Sequence, residues 1–408
     1  MNEILIVGGG IGGLTLALEL ARRGVRHRVF EAAPAIKAVG VGVNLLPHAT
    51  RLLAELGLEA ALARVAVETA ESRFYNRFGQ LIYREPLGRR AGLGWPQFSI
   101  HRADLQGALL ERLGAAPGAG ALELGRKCTG FEQDAHGVTL AFEDGGRVRG
   151  AAAIGCDGIH SVVRRQLFPQ DGPPRYSGVN MWRGVTRWPP FLGGATMVRA
   201  GWLATGKMVI YPIRNHGDGT QLVNWVFEIE TPQYQQWDWN RPARVEDFFA
   251  HVADWRFDWL DIPALLSAAE LVLEYPMVDK DPLAHWTHGR VTLLGDAAHP
   301  MYPRGSNGAG QAILDARALA EELARAAPPQ ALAAYEARRL APTSGVVLEN
   351  RRNPPDAILR EVYERTGDKP FTRIGDVIGE AELREISERY KRVAGYDRDT
   401  LQRKEAAP

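Results

Sequence analysis

The chain has 408 residues, of which 45% are hydrophobic and 24% charged, with a formal net charge of +1. That length and apolar content can bury more than one core, so two domains are expected, and the balanced charge gives no global attraction to nucleic acid or an anionic membrane. The two cysteines, Cys128 and Cys156, have no metal-ligand spacing and suit a reducing cytoplasm. Met1 leads directly into an apolar run, so no signal peptide is expected, and no apolar run approaches the roughly 20 residues that span a bilayer.

Ile4-Leu5-Ile6-Val7 reads as a buried parallel strand. The glycine-rich turn Gly8–Gly13 follows it. Leu14–Arg23 is a predicted helix, with Leu14, Ala17, Leu18 and Ala21 on one face and Gly24 as its stop. Arg28-Val29-Phe30 is the next strand, ending at Glu31. Residues 45–62 and Arg102–Leu113 are predicted helical. Val138–Phe142 and Val148–Ile154 read as strands of a hairpin around Gly145-Gly146.

Between about 173 and 275 tryptophan and proline become dense and strand-like runs recur at Met208–Tyr211, Leu222–Phe227 and Leu271–Tyr275. This marks a mainly β domain inserted into the first, with 74–98 contributing to it. The chain returns to the first domain at the apolar strand Arg290–Leu294. Helices are expected over Gly310–Ala326 and Pro329–Arg339, and the polar tail beyond about 385 is expected to be loosely held.

Three segments carry chemistry. Gly8-x-Gly10-x-x-Gly13, between a strand and a helix, permits a tight turn, close approach of a pyrophosphate and close helix–strand packing. The helix that follows aims free N–H groups and its positive dipole end at the phosphates. Glu31, eighteen residues beyond Gly13, can accept hydrogen bonds from ribose hydroxyls, and its charge disfavours a 2′-phosphate. The other two segments are Gly155-Cys156-Asp157-Gly158 and Leu294-Gly295-Asp296-Ala297-Ala298-His299. Asp296 is either a ligand of the cofactor or a cap of the following helix. Asp157, before a glycine at a strand end, suits a turn-former. His299 has no partner at ligand spacing and reads as structural.

Together with Gly8–Gly13 these segments resemble the ordered motifs of the class A, single-component FAD-dependent aromatic monooxygenases with the para-hydroxybenzoate hydroxylase fold. The stretch 153–164 is similar to that family's "DG" motif, and 295–299 with Pro303 to its "GD" motif. Arg102 stands where the family has an FAD-contacting arginine. The phenazine branch, of the 5-methylphenazine-1-carboxylate monooxygenase type, is the nearest likeness, through Gly40–Asn44, Met181–Thr186, Asn224–Val226, Tyr275–Asp279 and Met301–Pro303. The family's glycine-glutamine-glycine turn reads Ser306-Asn307-Gly308 here, and Gly310 replaces an asparagine. That departure leaves open which N–H groups meet the flavin.

The resemblance implies an α/β fold: a Rossmann-like FAD-binding domain (1–73, 99–172 and 276–345), an inserted substrate-binding β domain (74–98 and 173–275) and a C-terminal helical segment (346–408). It implies FAD contacts from Gly8, Gly10, Ile11, Gly12, Gly13, Glu31, Val43, Arg102, Asp157, Gly295, Asp296, Asn307, Gly308 and Ala309. For Asp157 it implies a cleft role, the alternative to the turn-former. Arg164 is either a further functional arginine of that motif or an ordinary surface residue.

The implied reaction is hydroxylation of an aromatic or N-heteroaromatic compound through a C4a-hydroperoxyflavin, with or without loss of a carboxylate, using O₂ and NADH or NADPH. The flavin carries that chemistry, so no protein acid or base is singled out as catalytic. Substrate contacts are expected from Trp182, Arg183, Tyr211, Asn224, Met301, Tyr302 and Pro303, with Arg183 or Arg304 as partner for a carboxylate. Trp237, Trp239, Trp255 and Trp259 read as packing. The segment 255–263 resembles the flavin halogenase motif only superficially, because its tryptophan spacing differs. A flavin reductase or oxidase on the same fold, or a flavin-bearing protein that binds aromatics without turnover, is the alternative. The small aromatic molecule is the expected partner, without nucleic acid or membrane, on a cytoplasmic monomer or homodimer.

Overall fold

The computed structural model describes residues 3–36, 40–231 and 241–406. Ile4–Val7, four apolar residues each at most 4% exposed, forms the middle of a five-stranded parallel sheet. Its order is Val291–Leu293, Ala152–Gly155, Ile4–Val7, His27–Phe30, Leu122–Glu123. Strands buried on both faces read as continuous apolar runs, as Ile4–Val7 and Ala152–Gly155 do.

Helix α1 (Ile11–Arg22) packs against this sheet. The predicted 45–62 helix is divided into α2 (Pro47–Glu55) and α3 (Glu59–Val65), with Gly57 in the left-handed region between them. Residues 42–45 form a strand instead, paired with Phe98–His101. Helix α4 (Arg102–Gly114) agrees closely with the sequence expectation. The strand expected at 148–154 is in fact two. Arg147–Gly150 closes the hairpin with Val138–Ala141, and Ala152–Gly155 turns away to pair with Ile4–Val7. Only the second piece is a continuous apolar run; Val148 and the short break at Ala151 let the two merge in a hydropathy reading. Helix α5 (Val162–Leu167) follows.

The second sheet has eight strands in the order Arg241–Ala243, Leu271–Asp279, Arg175–Trp188, Gln221–Glu230, Gly206–Asn215, Thr196–Trp202, Glu71–Tyr75, Leu81–Pro86. One face buries Trp182, Trp225, Phe227 and Val272 against Phe248, Trp255, Ile262 and Leu265, which lie in and before α6 (Ile262–Ser267). Period-two alternation sends Met181, Arg183, Tyr211, Asn224 and Val226 to the other face. That face meets the parallel-sheet half of the molecule, and the C-terminal helices cover its far end through Phe74, Ile358, Leu359 and Val362.

Helix α7 (Gly308–Leu323) packs on α1, and α8 (Pro328–Arg352) runs well past the predicted Arg339, through Pro342. Two of its carbonyls near that proline bond the Thr343 hydroxyl, at 2.8 and 3.2 Å. Helices α9 (Ala357–Thr366), α10 (Glu380–Ala394) and α11 (Arg398–Ala406) complete the fold. The described tail as far as Leu401 is therefore not loose. Leu383, Tyr390 and Ala394 are buried on one face of α10, a helical spacing that its charged residues mask in composition. Trp237 and Trp239 lie outside the described residues.

Candidate active site

The glycine loop is built by close approach. Gly8 has φ +107°, and a Cβ there would lie 2.4 Å from the Cys156 carbonyl oxygen; one on Gly13 would lie 2.0 Å from that of Gly8. Gly10 differs: its backbone is extended, and a Cβ would meet nothing within 4 Å, so it marks the open side of the loop. The first-turn N–H groups of α1, from Ile11, Gly12 and Gly13, have no intrahelical acceptor, and no side chain caps the helix. The Glu31 carboxylate is held against this loop, accepting the Gly9 N–H at 2.7 Å and the Ala33 N–H at 2.8 Å. Gln106, on α4, donates to the Gly9 carbonyl at 2.9 Å, a support the sequence did not single out.

Opposite the loop, Val291–Leu293 ends in the turn Gly295–Ala297. The Asp296 side chain is open to solvent and accepts no hydrogen bond among the described residues, so it is not a cap. Desolvation by the surrounding protein atoms raises its carboxyl above the usual range, against the pull of His299 and Arg102. Its Oδ1 lies 3.7 Å from the Cβ position of Gly308, at the start of α7. The Gly308, Ala309 and Gly310 N–H groups are that helix's free first turn. Exposed Arg102 opens α4 close enough to act on both Asp296 and Tyr275, and Val43 lies on the adjoining strand.

The side chain of Asn307 turns away from this helix end. Its Nδ2 donates to the Gly305 carbonyl at 3.1 Å and to Tyr390 Oη, on α10, at 3.0 Å. Tyr390 Oη in turn donates to Asn350 Oδ1 at 2.6 Å, and Asn350 Nδ2 donates to the Tyr302 carbonyl at 3.2 Å. The C-terminal helix thus braces the loop 302–307 at both ends. A supposedly loose tail gave no signal for this.

Both aspartate motifs carry structural tasks as well. Asp157 accepts from Val162 N–H at 2.7 Å, Val163 N–H at 3.3 Å and the Ser161 hydroxyl, so both its oxygens are committed to the start of α5, which matches the turn-forming reading. Arg164 is 2% exposed and no surface arginine. It forks onto Asp171 at 2.8 and 2.9 Å and donates to the carbonyls of Ala297 (3.1 Å) and Ala298 (2.8 Å), tying one motif to the other. His299 does have an acidic partner: Nε2 lies 2.5 Å from Asp315 Oδ2, and Arg339 Nε donates to Asp315 Oδ1 at 2.7 Å. Burial opposes ionisation of Asp315, yet His299 and Arg339 outweigh it and hold the carboxyl below its ordinary value. Asp315 and Gln311 share a face of α7, an i, i+4 pairing that could have flagged them.

On the sheet side, three expected substrate residues converge on Gly42. Tyr211 Oη and Arg183 Nη2 donate to its carbonyl at 3.1 and 3.2 Å, while Asn224 Oδ1 accepts its N–H at 2.7 Å. Asn224 Nδ2 and Arg183 Nε are buried without a partner. Burial raises the Tyr211 hydroxyl above its usual value, with Arg183 opposing, so it stays protonated at neutral pH. Tyr302 packs with Val179, Met181, Leu203, Val226 and Met277, Met301 lies against Val346 and Tyr390, and Pro303 is exposed at the start of a short turn. Trp182 is a correction. It faces the opposite side of the sheet, against Phe227 and Phe248, because it alternates with Arg183 along the strand. Trp255, Leu260 and Ile262 belong to that same outer cluster, so the halogenase-like segment is core.

A glycine loop with an open face, an acid fixed beside it, a carboxylate with no protein donor and two helix N-termini define a dinucleotide-binding α/β protein whose residues fit a flavin dinucleotide. Among the described residues no group of histidine, cysteine or acid side chains could hold a metal. The chain belongs to the FAD binding domain family, which it matches over residues 1–349. It is 40% identical over 363 residues, 86% of this chain and 89% of the relative, to the phenazine 1,6-dicarboxylic acid hydroxylase PhzS of Lysobacter antibioticus. It is 38% identical over 348 residues, 83% of this chain and 84% of the relative, to the 3-amino-4-hydroxybenzoate 2-monooxygenase PtnB3 of Streptomyces platensis. A salicylate hydroxylase substrate complex shares the fold with TM-score 0.75 and 26% identity, covering 100% of this chain and 98% of that one. The protein is an FAD-dependent monooxygenase of aromatic compounds that uses NAD(P)H and O₂. No helix among the described residues is long and apolar enough to cross a membrane.

Proposed function

We propose that this monooxygenase hydroxylates a carboxylated N-heteroaromatic ring system of the phenazine carboxylic acid type. The observation that carries this reading is the pair of buried, unpartnered donors, Arg183 Nε and Asn224 Nδ2, beside the neutral Tyr211 hydroxyl. A buried donor without an acceptor costs about 1–3 kcal/mol, and a substrate carboxylate or ring nitrogen relieves that cost. The identity to a phenazine dicarboxylic acid hydroxylase supports the same class of substrate.

Bound FAD supplies hydride acceptance from NAD(P)H and the activation of O₂. Gly8–Gly13 with the first turn of α1 holds the pyrophosphate, Glu31 a ribose, Asp296 with Arg102 the middle of the cofactor, and Gly308 and Ala309 the flavin edge. Val43, Asp157, Gly295 and Asn307 complete that shell, largely through backbone groups. Tyr211, Arg183 and Asn224 orient the ring, while Met301, Tyr302 and Pro303 present it to the flavin. Met181, Val226 and Met277 make an apolar wall that excludes water. The FAD-binding parts are 1–73, 99–172 and 276–345, the substrate part 74–98 and 173–275, and 346–408 supports both. Two free cysteines and a net charge of only +1 agree with a cytoplasmic monomer or homodimer that needs no macromolecular partner.

The test is anaerobic reduction of the holoenzyme by NADH with a panel of aromatic acids that includes phenazine-1-carboxylate and phenazine-1,6-dicarboxylate. A phenazine acid should accelerate bleaching of the flavin band at least tenfold. Equal rates with every acid and with none would refute the proposed substrate class.

A further inference from the structure

A second cavity, of about 370 Å³, opens between the eight-stranded sheet and the end of α8. Four arginines line it (Arg304, Arg351, Arg352 and Arg360) against one acid, Glu230. Arg351 is already neutralised, forking onto Asp279 at 2.6 and 3.0 Å and reaching Asp281 at 2.6 Å. Arg304 and Arg352 are not: among the described residues no carboxylate lies within ion-pair reach of either. Arg360 is partly engaged, by Glu361 at 3.4 Å and by the Arg352 carbonyl, to which it donates at 3.2 Å. Arg304 Nε is buried without a hydrogen-bond partner. Two guanidinium groups that face one cavity with no carboxylate on either are an arrangement suited to a carboxylate or phosphate.

The cavity adjoins the reaction cleft. Val179 and Leu203 line it and also pack on Tyr302, and the Arg304 guanidinium sits 5.8 Å from the Tyr302 ring centre. Its volume is of ligand size. We infer that it is an anion-binding vestibule, in which Arg304, Arg352 and Arg360 hold the carboxylate of the aromatic acid next to the Tyr302–Pro303 loop. This rests on the carboxylated-substrate reading above. A dinucleotide phosphate would satisfy the same guanidinium chemistry, but an apolar wall shared with the substrate side favours the acid.

The test compares holoenzyme with Arg304→Gln/Arg352→Gln and, separately, Arg360→Gln, each checked for flavin content and melting temperature. Kd is read from perturbation of the flavin absorbance for phenazine-1,6-dicarboxylate and for neutral phenazine, at low and at 0.3 M salt, beside KM for NADH. The double variant should raise Kd for the diacid about tenfold and flatten its salt dependence, with Arg360→Gln giving a smaller rise and neutral phenazine unchanged. Unchanged diacid binding in well-folded variants overturns the vestibule alone. A raised NADH KM with intact diacid binding overturns it as well and reassigns the cavity to the donor. If wild type does not bind the diacid, both the vestibule and the substrate class fall.

Discussion

Replacing Gly10 with alanine should separate cofactor binding from folding. Gly10 has φ −76° and ψ −173°, extended values open to any residue, and its added Cβ meets no protein atom within 4 Å. Alanine is a poorer N-cap than glycine by some tenths of a kcal/mol, and the stiffer unfolded chain offsets about as much. The apoprotein's melting temperature should therefore move by no more than about 2 °C. The methyl group, however, projects into the side of the loop where a pyrophosphate must approach the backbone. Losing two charge-assisted N–H bonds there costs about 3 kcal/mol, roughly a hundredfold in Kd. Gly13→Ala is the contrasting case. Its Cβ falls 2.0 Å from the Gly8 carbonyl oxygen, a backbone atom that cannot yield, so folding itself should suffer by about 3 kcal/mol. Stripped protein, thermal melting and titration of FAD fluorescence distinguish the two. A Gly10→Ala protein that binds FAD as tightly as wild type would refute the placement of the pyrophosphate.

Three other outcomes follow from the braces around the site. Arg164→Ala removes one partner of a buried pair and strips two carbonyls of the Ala297–Ala298 turn, so chemical denaturation should show a loss of about 3 kcal/mol. Tyr390→Phe should cost about 1 kcal/mol in stability, and by releasing Asn307 should shift the flavin absorption bands; a spectrum identical to wild type would show that the loop holds without this brace. Asp315 has its folded-state carboxyl below the ordinary value of 3.8, so its contribution is complete at neutral pH and is lost as pH falls through and below about 4. Asp315→Asn should accordingly be less stable than wild type at pH 7 in urea unfolding, with the gap closing toward pH 3. A gap that widens in acid would contradict the sign.

Much of the cofactor side was legible because its signals are local. An apolar run, three glycines at fixed spacing and an acid at the next strand end all report on residues close in sequence, and the parallel strands keep them close in space. The misreadings came from longer-range effects. Trp182 was misplaced because a tryptophan near a motif says nothing about strand parity, and parity is set by the register with Phe227. His299 looked partnerless because Asp315 reaches it from α7, sixteen residues on. The C-terminal brace was invisible because Tyr390, Asn350 and Asn307 are distant in sequence and α10 is charged on its outer face. The arginine cavity likewise draws Arg304 and Arg352 from separate helices and turns, and only the unpaired state of their charges singles them out.

The most direct test of the account is turnover of phenazine-1,6-dicarboxylate with NADH under ¹⁸O₂, read by mass spectrometry of the product. One atom of ¹⁸O per hydroxylated ring, with NADH consumed in step, is the predicted result. Consumption of NADH with all oxygen recovered as hydrogen peroxide, for this acid and for phenazine-1-carboxylate alike, would contradict it.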